Sequence, residues 1–169
     1  MHDVLRESNL VFLLDVAGAM NSAEKVGLVK SSLKLLVRQL DAGDSVAIVV
    51  YAGAAGGVLK PTPGDGNAEI IAALDRLQAG GSTNGGAGIR LAYAMAEQAF
   101  IEGGINRVIL ATDGDFNVGT TNIEMLKDLI GEKREAGIAL TTLGFGTGHY
   151  NDHLMEQIAD VGNGNYAYI

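Results

Sequence analysis

Short apolar runs alternate along this chain with longer stretches in which apolar residues recur every three or four positions. The runs LVFLLD (10–15), SVAIVVYA (45–52), RVILATD (107–113) and IALTTLGFG (138–146) are rich in β-branched residues and apolar at consecutive positions. Successive strand residues point to opposite sides, so an unbroken apolar run predicts a strand buried on both faces. The stretches between them carry helical stripes. One comprises Val26, Val29, Leu33, Leu36, Val37 and Leu40; a second Ile70, Leu74 and Leu77; a third Ile89, Ala92, Ala96 and Phe100. Ile123, Leu126 and Ile130 form a fourth, and Leu154, Ile158 and Val161 a fifth. Residues spaced in this way share one helix face, so each stripe predicts a helix laid against a sheet.

Strands and helices in alternation predict an α/β fold, a Rossmann-like doubly wound sheet with helices on both faces. One connection breaks the pattern. GVLKP (57–61) follows the second run after a short Gly-rich gap, whereas a parallel return needs a crossover of a dozen or more residues. This strand is therefore expected to run antiparallel at an edge, where Pro61 is tolerated. With the closing GNGNYAYI as a last strand, the expected sheet has six strands in the order 3-2-1-4-5-6. A chain of 169 residues with 47% hydrophobic content suits one core, so residues 1–169 read as a single domain, one that a longer protein could contain.

Charge and composition narrow the partners. A formal net charge of −8 offers no basic face for a phosphate backbone, which argues against nucleic acid. The absence of cysteine removes disulfides, thiolate zinc sites and a cysteine nucleophile. No run of 18 apolar residues occurs, so no membrane insertion by this segment is expected.

Three turns carry candidate chemistry: DVAGAMNS (15–22), AGGSTNGGAG (79–88) and ATDGDFN (111–117). Each follows a strand or opens a helix, and open α/β sheets bind ligands at the carboxyl ends of strands where the strand order reverses. Asp15 and Asp113 are expected to face each other there, with Thr83 adding a hydroxyl. Converging carboxylates repel unless a cation lies between them, and hard divalent cations take oxygen ligands. These residues resemble the von Willebrand factor type A domain and the related integrin I domain. That family carries a metal-ion-dependent adhesion site: an Asp-x-Ser-x-Ser turn after the first strand, a threonine in a middle loop and an aspartate after the fourth strand. The resemblance spans essentially the whole chain. GGSTNGGAGIRLAY, NRVILATDGDFNVG and GNGNYAYI are especially similar to bacterial surface or envelope members.

The resemblance implies Asp15, Thr83 and Asp113 as metal ligands, Mg²⁺ or Mn²⁺ as the ion, and a protein ligand presenting a carboxylate as the partner. It also implies an envelope location. The two serines of the motif fall at Ala17 and Ala19. A methyl group cannot coordinate a cation, and Mg²⁺ demands near-octahedral oxygen ligation, so weak or absent metal binding is expected. The leading expectation is a binding module of the adhesion type, not an enzyme, with its metal-dependent site weakened or abolished.

Competing motifs are less complete. Asp113, Asp115, Asn117 and Glu124 fall at positions one, three, five and twelve of an EF-hand-like loop, but the glycine required at position six is Val118. AGGSTNGGAG precedes a helix without the Gly-Lys-Ser/Thr ending of a phosphate-binding loop. His149 and His153 are four apart, a spacing that on a helix suits zinc, although a solvated turn accounts for both. An alternative function keeps the scaffold and gives it a redesigned crevice, in which His149 with Asp113 or Ser82 performs metal or hydrolytic chemistry. No G-x-S-x-G elbow surrounds Ser82.

Overall fold

The strand at the centre of the molecule is the first one, and its sequence explains why. β1 (Ser8–Leu14) is buried along nearly its whole length, and it pairs in parallel with both β2 (Ser45–Val50) and β4 (Ile105–Thr112). These features come from a computed structural model of the chain, which describes residues 7–14, 31, 33–50, 56–75, 85–112, 123–144, 162 and 166–168. β5 (Ile138–Gly144) continues the sheet beside β4, and β6 (Tyr166–Tyr168) closes that side. β3 (Gly56–Pro63) returns antiparallel to β2 at the other edge. The six strands lie in the order β3-β2-β1-β4-β5-β6, as the sequence pattern predicts.

Alternate residues of β1 feed two separate cores. Val11 and Leu13 join Val49, Val108 and Leu110 beneath α3 (Gly85–Gln98) and α4 (Ile123–Glu135), which contribute Ile89, Ala92, Ala96, Leu126 and Ile130. Leu10, Phe12 and Leu14 join Val46, Ile48 and Ile109 on the other face. There Leu33 and Val37 of α1 (33–37) and Ile70 and Ala73 of α2 (Asn67–Asp75) cover them. Each Val, Leu, Ile or Phe side chain taken fully out of water contributes about 1.5–3 kcal/mol, so a strand that supplies both cores fixes the two layers to each other.

Three details depart from the sequence pattern. β1 and β4 both begin before their apolar runs, because Asn9 and Asn106 are strand residues and nearly inaccessible to solvent. β3 is longer than its apolar segment and bulged: Val46 pairs with Thr62 and Ile48 with Leu59, so Lys60 and Pro61 together oppose Ala47. Pro61, which has no N–H to give, thus sits where the ladder is already interrupted. Phe100, assigned to the third stripe, lies beyond the end of α3 and is 40% exposed. Gly137 (φ 98°) reverses the chain just after α4, and a Cβ there would come within 3.1 Å of the Phe100 ring. Val26, Val29, Leu77 and the fifth stripe lie outside the described residues.

Candidate functional site

β1 runs parallel to β2 on one side and to β4 on the other, and the chain leaves β2 and β4 toward opposite edges of the sheet. This is a topological switch point, the place where doubly wound sheets form a ligand crevice. Leu14 is level with Ala111 in the β1–β4 register. β1 and β4, which residues 15 and 113 follow in the sequence, therefore end side by side at the same end of the sheet.

The orientation of α3 follows from a buried hydrogen bond. Asn9 Nδ2 donates to the Ala96 carbonyl at 2.8 Å, which ties the last turn of α3 to the start of β1. Fourteen helical residues span about 21 Å, and the seven residues of β1 span about 23 Å. The amino end of α3 at Gly85 consequently falls at the carboxyl end of β1, where its first N–H groups favour negative charge.

The sequence-derived ligands Asp15, Thr83 and Asp113 lie outside the described residues, as do Ala17, Ala19, Ser82, Asp115, Asn117, His149 and His153. What is described are the elements that carry three of these segments: β1 ends one residue before Asp15, β4 ends one residue before Asp113, and α3 begins two residues after Thr83. As a donor set, two carboxylates and one hydroxyl suit a hard divalent cation, and the methyls of Ala17 and Ala19 contribute nothing to it. The fit to a resident Mg²⁺ or Mn²⁺ is incomplete on these grounds.

The opposite end of β1 and β4 holds a polar cluster that hydrophobic patterning does not reveal. Asn106 Oδ1 accepts from Asn9 Nδ2 at 3.0 Å and from the Ile101 N–H at 2.9 Å, while Asn106 Nδ2 donates to the Ile101 carbonyl at 2.9 Å. Each amide thus bonds the neighbouring strand, and in addition Asn9 bonds the last turn of α3 and Asn106 the chain leaving it. Nearby, the Asp44 carboxylate accepts from the Ser8 N–H at 2.7 Å and from the Asp41 N–H at 3.0 Å. The carboxylate has backbone partners and serves to hold the β2 entry turn against β1. Tyr93 of α3, also absent from the stripes, is fully buried, and its hydroxyl has no hydrogen-bond partner among the described residues. Burial pushes this phenol above its ordinary titration range.

A doubly wound sheet of this order, with an aspartate following β1 and another following β4 in the sequence, defines a class of α/β domain, and comparison with known proteins gives the family. Residues 9–169 match the model of the von Willebrand factor type A domain. The chain belongs to that family. It is 53% identical over 165 residues to "Uncharacterized protein YfbK" of Escherichia coli (strain K12), an alignment that takes in 98% of this chain and 29% of the relative. The chain thus spans less than a third of that relative's length.

Among solved structures, a von Willebrand factor type A protein from Catenulispora acidiphila superposes with a TM-score of 0.81 at 24% identity, covering 97% of this chain and 39% of that one. Proximal thread matrix protein 1 from the mussel byssus, in a form with a zinc-occupied MIDAS motif, gives 0.75 at 24% identity over 97% of this chain and 42% of that one. Both likenesses concern the fold.

Proposed function

We propose that this chain is a protein-binding module with a metal-dependent site, at the carboxyl ends of β1 and β4, for a carboxylate of a partner protein, and that Ala17 and Ala19 weaken or abolish that site. The observation that carries the reading is the side-by-side exit of β1 and β4 with Leu14 level with Ala111, which supports a common site for Asp15 and Asp113. In this reading Asp15, Thr83 and Asp113 are the metal ligands. A cation held between the two aspartates would reverse the local charge and attract an acidic group, so each lost ligand lowers the affinity for the ion and the partner together. Family membership supports a role in protein interaction, and the greater length of the Escherichia coli relative supports reading 1–169 as one module of a longer protein.

The test restores the hydroxyls. Thermal unfolding of the chain and of the Ala17→Ser/Ala19→Ser variant is followed with Mg²⁺, with Mn²⁺ and with chelator. Free metal at 100 times its dissociation constant stabilises a fold by about 2.7 kcal/mol, or about 5–10 °C for a domain of this size. That gain is expected in the double serine variant and a much smaller one in the parent chain. Equal gains in both would show that the alanines are no lesion.

A further inference from the structure

We draw no further inference here: the strongest candidate, the half-buried strip of Arg107, Ala139 and Thr141 on the α1 and α2 side of β4 and β5, carries nothing, because nothing among the described residues shows what covers it.

Discussion

Replacing Asn106 by leucine tests the polar cluster that joins β1, β4 and the end of α3. Leucine has nearly the branching and size of asparagine, so packing changes little, while three hydrogen bonds disappear: those to Asn9 Nδ2, to the Ile101 N–H and to the Ile101 carbonyl. Asn9 Nδ2 is buried and keeps its bond to Ala96, but its second proton is left without an acceptor, which costs about 1–3 kcal/mol. The two Ile101 groups are half-buried and can be partly rehydrated, adding about 1 kcal/mol each. The expected loss is about 3–5 kcal/mol, a large share of the 5–15 kcal/mol that holds a typical domain together. Equilibrium unfolding in urea measures it as a lower midpoint at unchanged slope. A double-mutant cycle with Asn9→Ala and Asn106→Ala should then give a coupling energy well above the ~0.5 kcal/mol seen for independent sites. A loss below about 1 kcal/mol for Asn106→Leu would refute the claim that these amides hold the strand and helix ends together.

In the serine-restored variant, adding Asp113→Asn should cancel the rise in melting temperature with Mn²⁺; a rise that survives would remove Asp113 from the ligand set. Tyr93→Phe removes a buried hydroxyl without a described partner, so urea unfolding at neutral pH should show stability unchanged or raised by up to about 1 kcal/mol, and a loss above that would reveal a partner. The same variant should behave differently in alkali. A phenol whose folded pKa is raised contributes stability that is complete below its unfolded pKa of about 10 and declines above it by up to about 1.4 kcal/mol per pH unit, so Tyr93→Phe should flatten that decline in a pH series. Gly162→Ala should lower stability by about 1–3 kcal/mol in urea, since its Cβ would lie 2.6 Å from Leu140 Cβ and 3.0 Å from Ile130 Cγ2; an unchanged midpoint would mean that the chain shifts there freely.

The sheet order was legible in the sequence because two strong signals coincide. The apolar runs are strand-length, and the single connection too short for a crossover fixes which strand is antiparallel. Periodicity could not find Asn9 or Asn106. Each is buried for a reason that depends on a distant segment: Ala96 lies 87 positions from Asn9, and the register that sets Asn9 beside Asn106 belongs to a pairing across 97 positions. Phe100 failed in the other direction. Its spacing continues the stripe of Ala92 and Ala96, but α3 stops at Gln98, and a helical spacing has no meaning past the last helical residue. At the candidate site the sequence supplied the residue types, Asp15, Thr83 and Asp113, and the topology supplied the shared end of β1, β4 and α3. Periodicity gave no ligand there, since turns have no repeating pattern to read.

The interrupted ladder of β3 has a consequence for life at high concentration. An exposed edge strand is a template on which a second molecule can add its own strand, and sheets grow into aggregates by that route. Here the outermost strand carries Pro61 and Pro63 and a charged Lys60 within its eight residues, and its register with β2 shifts twice. A docking strand would need a continuous, flat row of donors and acceptors, which these features deny it. Among the described residues the opposite edge consists of the three residues of β6, and a short edge strand is a poor template for pairing. A neighbouring copy is therefore hindered from extending this sheet across the β3 edge, even when many copies are crowded side by side.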